Sequence, residues 1–479
     1  MRTSSLFSFW NLGGFGSFLL CTFCVISLFQ PPEETYDLAI KGVTIFDPIL
    51  KTRTPDQTVL IRGDQIAAII PAKNKVKAKQ TVAGKGRLLC PGFIDTHIHF
   101  NQIYDKGRNY FPDSAEWVQK SAKYQLRLKD QYLQYGTTTI ADMGMIEPWI
   151  DQSLRWQREA GSLIPDLYLT GGALISEHYW DRRPPEHHIV VKDSLAARAK
   201  VQSYYDKGIR HIKLYWKLEE PEMRAAVAQA EALGMEVFAH IDNGIMQIDD
   251  VMAMGVRHFE HFFTLIPSSL PMREEMQPLD TFYGLGPINN IDQFAANMVA
   301  FFGYIKAHPE HDASLKALID RMVEQEGSIS TALHVLAAGV EQSTFFSSFD
   351  WYPPREVPDL GYTPEQMQDL KEALGAMMYY MQYAHQQGLT LRIGTDCRNG
   401  GRALLAELKL LVEGGFDLAD VLQIATWNGA KALGIEEEVG SITVGKKANL
   451  LLFHKDPFED HAHLAGKKTV IKAGAVVAP

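Results

Sequence analysis

Residues Leu88–His99 read LLCPGFIDTHIH, an apolar run that ends in two histidines. Successive side chains of a β-strand point to opposite faces, so Asp95, His97 and His99 would project to one side. Neutral imidazole is the commonest metal ligand in proteins, and two on one strand can bind the same ion at about 2.0–2.1 Å. A His-x-His pattern also arises by chance, so the pair predicts part of a metal site only together with residues further along the chain.

The composition indicates a globular protein with a large core, because 46% of the 479 residues are hydrophobic and 22% are charged. The net charge of −10 argues against a nucleic acid or an anionic membrane surface as a partner, since both require basic patches. We therefore expect a small-molecule or dipeptide-like substrate and no nucleic acid. Whether the chain forms a homo-oligomer stays open.

Residues 1–30 differ from the rest of the chain, because they are apolar and aromatic with Arg2 as the one charged residue. We predict a signal peptide and hence export to the periplasm or the extracellular space, with an uncleaved N-terminal membrane anchor as the alternative. Cys21 and Cys24 lie in this segment. Cys90 and Cys397 are predicted to lie too far apart for a disulfide bond.

Short strand-like runs occur at both ends of the chain, within residues 36–90 and 440–479. Neither end has enough strands to bury a core alone, so we expect both to form one small β-sandwich domain. In residues 91–439, strand-like and helix-like runs alternate, which predicts an α/β fold, a (β/α)8 TIM barrel. Its eight strands are predicted at 92–100, 137–143, 166–170, 211–215, 236–241, 258–263, 328–333 and 391–396, with long insertions at 264–327 and 334–390.

Ionisable residues recur at these predicted strands, and a TIM barrel places its active site at the carboxyl ends of its strands. Lys213 lies in the fourth strand, and His240, His261 and Asp396 lie in or at the ends of the fifth, sixth and eighth. Each alone has an ordinary explanation, since a His or Asp at a strand end often caps a loop and a barrel lysine often forms a salt bridge. Together with the two histidines of the first strand, they predict one metal site.

Short motifs surround these residues: PGFIDTHIH at 91–99, IKL at 212–214, FAH at 238–240, EH at 260–261, GTD at 394–396, ATWNGAKALG at 425–434 and GKKANL at 445–450. This set resembles the amidohydrolase superfamily, in particular its imidazolonepropionase-related and Xaa-Pro dipeptidase (prolidase-like) branch. The resemblance covers nearly the whole chain outside the leader and the two insertions.

The resemblance implies a TIM-barrel hydrolase that binds two ions of Zn²⁺ or another divalent metal. It implies that His97, His99 and Asp396 bind one ion and that two further histidines, His240 and His261, bind the other. A carboxylated lysine at position 213 would bridge the two ions. A metal-activated hydroxide would then attack a C–N bond, and the aspartate would orient it and carry its proton to the leaving nitrogen.

Three residues are candidate substrate contacts: His178, Tyr215 and Arg398. His178 follows the third strand, where prolidase-like members carry a substrate-binding histidine, although their usual Gly-Gly-His spacing is absent here. Tyr215 shares a face with the lysine of the fourth strand. Arg398 follows the aspartate of the eighth strand and could bind a carboxylate.

The predicted reaction is hydrolysis of an amide or peptide-like bond in a dipeptide or an N-acyl amino acid. One alternative is a mononuclear deaminase or a hydrolase of a cyclic amide or imidazolone ring, which needs no bridging lysine. A second is a catalytically dead binding module, which the presence of all six ligand positions disfavours. Asp95, His211 and His258 lie close to these positions in the sequence, and we expect them to have hydrogen-bonding or core roles.

Overall fold

The computed structural model describes residues 35–100, 123, 125–159, 161–177, 187–241, 245–340, 361–397 and 400–478. The leader and two candidate substrate contacts, His178 and Arg398, lie outside these ranges. Within them, no helix is both long and apolar enough to cross a membrane. Cys90 and Cys397 are buried and free, as predicted.

At the two ends of the chain the strands follow one another with few helices between them, whereas in the middle of the chain helices separate most of the strands. The strands are β1 (Tyr36–Asp47), β2 (Thr52–Arg62), β3 (Gln65–Pro71), β4 (Ala78–Ala83), β5 (Leu88–Pro91), β6 (Phe93–Ile98), β7 (Thr137–Asp142), β8 (Asp166–Leu169), β9 (Ala173–Ser176), β10 (His188–Val191), β11 (His211–Leu214), β12 (Glu236–Ala239), β13 (His258–Phe259), β14 (Ser328–Ser330), β15 (Thr390–Arg392), β16 (Leu450–Phe453), β17 (Lys468–Lys472) and β18 (Ala475–Ala478).

Helices fill the region between β7 and β16. The α-helices are α1 (Ile150–Glu159), α2 (Ser194–Asp206), α3 (Glu220–Ala232), α4 (Ile248–Met252), α5 (Ile266–Ser269), α6 (Met272–Tyr283), α7 (Ile291–Ala307), α8 (Pro309–Glu324), α9 (Leu333–Gly339), α10 (Pro364–Gln387), α11 (Gly400–Glu413), α12 (Leu418–Ile424) and α13 (Trp427–Ala432).

Strands from both chain ends join one eight-stranded sheet, which contains β1–β5 and β16–β18. The junction is the antiparallel pair of β5 and β16, in which Leu450 faces Pro91 and Leu452 faces Leu89. The predicted association of the two ends is therefore confirmed as a shared sheet. The finer prediction of a sandwich stays a prediction.

The apolar run of β16 shows why this sheet is stable. Leu450 and Leu452 belong to a hydrophobic cluster built from the terminal strands, whereas Leu451 and Phe453 belong to the large cluster that includes the barrel. All four side chains are fully buried. A strand covered on both faces is expected to be apolar at every position, and β16 is.

The middle of the chain has the predicted α/β barrel architecture. Strands β6, β7 and β8 pair in parallel, and so do β11 to β15. The two groups meet where the Thr96 N–H donates to the Ile393 carbonyl at 2.9 Å and the Asp396 N–H donates to the His97 carbonyl at 2.8 Å. On the other side, the rings of Tyr168 in β8 and His211 in β11 are in contact, with centroids 5.9 Å apart. All eight predicted barrel strands are therefore present in the described chain.

Several predicted boundaries are wrong. The sixth barrel strand, predicted at 258–263, ends at Phe259, and a 3-10 helix spans Phe262–Leu265. The seventh and eighth strands also end early, at Ser330 and Arg392. Two short strands after the third barrel strand, β9 and β10, were not predicted, and β9 pairs in parallel with β11. Periodicity alone overestimates strand length where irregular backbone continues an apolar run.

The two long insertions are largely helical in the described residues. The first contains α5 to α8, and the second contains most of α9 and all of α10. Helix α10 begins at a capping box between Thr363 and Gln366 and ends before Gly388, which has a left-handed φ of 103°. Phe302 of α7 contacts Phe262 and Tyr380, with ring centroids 5.6 and 6.2 Å away, so the insertions pack against the barrel and each other.

Candidate metal centre

Carboxyl ends of barrel strands bring the predicted metal ligands to one end of the barrel. His97 lies in β6 and His99 follows it, while His240, His261 and Asp396 follow β12, β13 and β15. Because parallel strands of a barrel all end on the same side, residues far apart in sequence converge there. The structure thus places predicted ligands from four strands in a common neighbourhood.

The tightest group consists of His97, His99 and Asp396, whose ligating atoms all lie within 4.8 Å of one another. The two histidine Nε2 atoms are 3.2 Å apart, and His99 Nε2 lies 3.3 Å from Asp396 Oδ1. At these separations, one cation placed between the three side chains can bind all of them in place of their direct contacts with one another. The donor set of two imidazoles and a carboxylate suits Zn²⁺ and similar divalent metals. The residues present therefore fit a metal ion.

His261 and His240 extend this group on the side of the other Asp396 oxygen. His261 Nε2 lies 3.4 Å from Asp396 Oδ2. The His261 ring contacts those of His97 and His240, with both centroids 4.6 Å away. Asp396 therefore lies between the two predicted histidine sets, with one oxygen toward each.

Electrostatics favours the ligating form of these groups. Burial holds the pKa of His97 and His261 below the usual value, and the nearby Lys213 ammonium acts in the same direction on both. Partial burial alone would raise the pKa of Asp396, but its interactions with His261 and the other two histidines hold it well below the usual range. Neutral imidazoles and an ionised carboxylate are the forms that bind a metal.

Lys213 has only 2% of its surface exposed. It lies in β11, whose side chains at this position point into the barrel, and its charge acts on His97, His261 and Glu260. Lys213 therefore lies close enough to His97 and His261 for its charge to act on both, and its bridging role stays a prediction.

The backbone is unusual at two of these residues. His261 has a φ of 62° and Asp396 a φ of 45°, both in the left-handed region that non-glycine residues rarely adopt. Such conformations cost about 1–3 kcal/mol each and occur where the surrounding structure imposes them, often at functional sites. They aim both side chains at the same space although neither residue continues a regular strand.

The residues expected to have supporting roles make hydrogen bonds of their own. Asp95 accepts hydrogen bonds from the Thr395 N–H at 3.0 Å and from the Thr395 hydroxyl at 2.7 Å, and burial raises the pKa of Asp95 to about 7. His211 Nε2 lies 2.9 Å from the Leu433 carbonyl. His258 contacts Ser328 Oγ at 2.8 Å.

Sequence reasoning missed two histidines, His187 and His188. The His188 ring lies against those of His187 and Tyr215, with centroids 4.2 and 4.4 Å away. The His187 ring reaches His99, and the Tyr215 ring reaches His240, with centroids 5.7 and 5.0 Å away. These aromatic side chains thus pack against one another in a continuous ring that includes the predicted histidine ligands. The signal in the sequence was a His-His pair directly before the β-branched run IVV at 189–191.

His188 is neutral over the physiological range, because burial and the neighbouring imidazoles lower its pKa to about 2. It is 7% exposed. A neutral imidazole offers one hydrogen-bond donor and one acceptor to a ligand. Of the predicted substrate contacts, Tyr215 lies beside His240, and His188, which was not predicted, packs against Tyr215.

Comparison with known proteins places this site in a family. Residues 88–477 match the profile of the amidohydrolase family. A Xaa-Pro dipeptidase with methionine bound in its active site has a TM-score of 0.63 at 19% identity, covering 92% of this chain and 100% of that chain. A prolidase complexed with N-methylphosphonate-L-proline has a TM-score of 0.64 at 19% identity, covering 92% and 99%. Likeness at such low identity shows a shared fold.

Similarity to curated sequences is local. The imidazolonepropionase of Brevibacillus brevis is 36% identical over 99 residues, which span 19% of this chain and 23% of that protein. The chain thus aligns with less than a quarter of this relative. The family profile, by contrast, spans most of the chain and includes every predicted ligand. The chain belongs to the amidohydrolase family, and it is a hydrolase of that family with a metal-binding group formed by His97, His99 and Asp396.

Proposed function

We propose that this hydrolase cleaves the C–N bond of a dipeptide or an N-acyl amino acid. The observation that carries the proposal is the position of Asp396. Its Oδ1 faces His99 at 3.3 Å and its Oδ2 faces His261 at 3.4 Å, so one carboxylate lies between two histidine sets. The Asp396 side chain is 31% exposed and therefore within reach of a substrate.

We propose that two divalent ions bind here, held by His97, His99 and Asp396 on one side and by His240 and His261 on the other. Zn²⁺ fits these nitrogen and oxygen donors, and other divalent metals share them. Bound metal ions supply Lewis-acid polarisation of a carbonyl group and lower the pKa of water.

A carboxylated Lys213 would complete this arrangement. A free ammonium beside two dications is electrostatically unfavourable, whereas a carbamate on the same nitrogen is an anion with two oxygen donors. The burial of Lys213 and its proximity to His97 and His261 support this role.

Asp396 is the residue that would move the proton. An ionised carboxylate can accept a proton from the attacking water and return it to the leaving nitrogen. Tyr215 and His188 would contact the substrate, since a phenol and a neutral imidazole can both donate hydrogen bonds to a carboxylate or a carbonyl. The amino-acid-like ligands of the two structural neighbours support a substrate of this class.

Hydrolysis of a substrate library tests the reaction. The full-length chain, loaded with Zn²⁺ or Mn²⁺, is incubated with dipeptides, including Xaa-Pro dipeptides, and with N-acyl amino acids, and the products are measured by mass spectrometry. We expect cleavage by the wild-type chain and none by Asp396→Asn. A metal-loaded wild type that cleaves no member of the library would refute this substrate class.

A second candidate is a hydrolase of a cyclic amide or imidazolone ring that uses one ion, which the similarity to an imidazolonepropionase favours. Metal analysis separates the two candidates. Two ions per chain, falling to one or none in Lys213→Ala together with loss of activity, support the binuclear peptide hydrolase. One ion per chain with activity retained in Lys213→Ala supports the ring hydrolase.

We also propose that the protein is exported, on the basis of the apolar residues 1–30. The mass of the N-terminal peptide from protein recovered outside the cytoplasm tests this proposal. A cleaved N-terminus supports a signal peptide, and an intact one in the membrane fraction supports the anchor.

A further inference from the structure

Two opposite charges are completely buried inside the barrel, on Glu260 and Arg392. Arg392 Nη2 donates to Glu260 Oε1 at 2.7 Å. Taking two charges out of water costs free energy that their attraction offsets only with good geometry and further hydrogen bonds. A buried ion pair of this kind is weak evidence for a stabilising role. The residues that contact Glu260 and Arg392 indicate what other role the pair has.

The guanidinium of Arg392 is fixed from three other strands. Its Nη1 donates to Thr96 Oγ1 at 2.6 Å, its Nη2 also donates to the Phe259 carbonyl at 2.9 Å, and its Nε donates to Ser328 Oγ at 3.3 Å. A planar group held at three nitrogens has one orientation. The carboxylate paired with it is therefore held in place as well.

The second oxygen of Glu260 faces the metal centre. Glu260 Oε2 lies 2.5 Å from His97 Nδ1, and Ser330 Oγ donates to the same oxygen at 2.7 Å. An ionised carboxylate can only accept hydrogen bonds, so this contact assigns the ring proton of neutral His97 to Nδ1. The Nε2 lone pair is then free to bind a metal, and Nε2 lies 3.2 Å from His99 Nε2.

We propose that Arg392 is a positioning residue for the metal centre: acting through Glu260, it fixes the tautomer and the ring orientation of His97 and so raises the affinity for the ion. Hydrogen-bond partners of metal-binding histidines have this effect in general. The inference rests on the metal-dependent part of the proposed function and is independent of the substrate and of the number of ions.

Zinc affinity of the full-length chain tests the inference, measured after chelation by competition with a fluorescent zinc indicator. We expect Glu260→Gln to weaken binding about 10- to 100-fold. The double variant Glu260→Gln/Arg392→Met removes both buried charges, so it should regain thermal stability relative to Glu260→Gln alone without regaining zinc affinity. The ¹⁵N shifts of selectively labelled histidine in the metal-free chain should show loss of the Nδ1-protonated form of His97.

The matched control is Asp166→Asn, which breaks another buried pair, that of Asp166 Oδ1 with Lys472 Nζ at 2.9 Å. It should lower the unfolding temperature and leave zinc affinity unchanged. If Glu260→Gln does not fold, Arg392→Lys keeps the charge but loses the planar fork, and it should weaken zinc binding in the same direction by a smaller factor.

Zinc affinity and histidine shifts that stay at wild-type values in folded Glu260→Gln or Arg392→Lys would overturn the inference. A wild type that binds no zinc or other divalent metal would instead refute the proposed metal chemistry as well. Tight metal binding without hydrolysis of any tested substrate would refute only the substrate class.

Discussion

Strand β16 of the terminal sheet and the interior of the barrel are buried to the same degree with opposite chemistry. In β16, all four buried side chains are apolar, whereas the barrel interior buries Asp95, Lys213, Glu260 and Arg392 at 2% exposure or less. Apolar burial stabilises a fold, and polar burial costs free energy unless every group finds a partner. The comparison indicates that β16 serves stability and the barrel interior serves the metal centre, so substitutions in the two places should affect different measurements.

The largest effect is expected for Asp396→Asn. Asparagine keeps the size of the side chain but removes a charged metal ligand and the proton acceptor, so kcat/KM on the best library substrate should fall by at least about 1,000-fold. The unfolding temperature of the metal-free chain should hardly change. Asp64→Asn, in the exposed turn between β2 and β3, is the control and should keep full activity. Activity above a tenth of wild type in Asp396→Asn would contradict the assigned role.

The reverse pattern is expected for Leu450→Ala in the terminal sheet. Leu450 is fully buried, so its truncation should lower the free energy of unfolding by about 3 kcal/mol through lost burial and a cavity. Zinc affinity and kcat/KM of the folded fraction should stay at wild-type values. Leu195→Ala, at a residue that is 75% exposed, should change stability by less than about 0.5 kcal/mol in the same urea titration. A large loss of zinc affinity in Leu450→Ala would contradict the separation of stability from metal binding between the two regions.

A pH-dependent effect is expected from Glu407, beside the barrel interior. It is fully buried, and burial raises its pKa to about 8 although Thr331 Oγ1 and the His334 N–H donate to it. The native carboxyl therefore keeps its proton to about pH 8, whereas the unfolded one loses it near 4.5. Its contribution to stability falls as pH rises through this window, by up to about 1.4 kcal/mol per pH unit.

Glu407→Gln should flatten this part of the pH profile of the unfolding free energy, measured in urea between pH 5 and pH 8. The exposed Glu459→Gln is the control and should leave the slope unchanged. Identical slopes for wild type and Glu407→Gln would show that the carboxyl is ionised in the native protein at neutral pH.

The smallest effect is expected for His188→Asn. Loss of a substrate contact without loss of a metal ligand should raise KM about tenfold, since one hydrogen bond contributes about 1.5 kcal/mol, and leave zinc affinity unchanged. His211→Asn, at a buried histidine that bonds the Leu433 carbonyl, is the control and should lower stability without changing KM. Weakened zinc binding in His188→Asn would instead make it part of the metal centre.

Much of the barrel could be predicted from sequence because the alternation of side chains along a strand is a local pattern. Alternation along β6 predicted that His97 and His99 share a face, and the structure puts their Nε2 atoms 3.2 Å apart. Alternation could not place His261 and Asp396 precisely, since their left-handed φ values arise from the packed barrel. The helical form of the insertions and the extra strands β9 and β10 likewise depend on tertiary contacts.

The Glu260–Arg392 pair shows most clearly what local sequence patterns cannot predict. Arg392 lies between Leu391 and Ile393. A charged residue that alternates with apolar ones in a strand is normally predicted to face solvent. The partner of Arg392 is 132 positions earlier in the chain. β14 pairs in parallel with both β13 and β15, and only this assembled sheet brings the two charges together, so no local pattern could reveal that the charge is internal.

The pairing of β5 with β16 has a consequence for how the protein is made. β5 is followed after Gly92 by β6, which contains His97 and leads directly into His99, and the Gly92 N–H donates to the Asn449 carbonyl at 2.8 Å. Partners so distant in sequence make folding slow, because a long loop must close before they meet. During synthesis, the free edge of β5 has to wait until Leu450–Phe453 has left the ribosome. The first ligands to be translated thus gain their final support from almost the last strands, and a nascent chain stalled before residue 450 should have an incompletely supported metal centre.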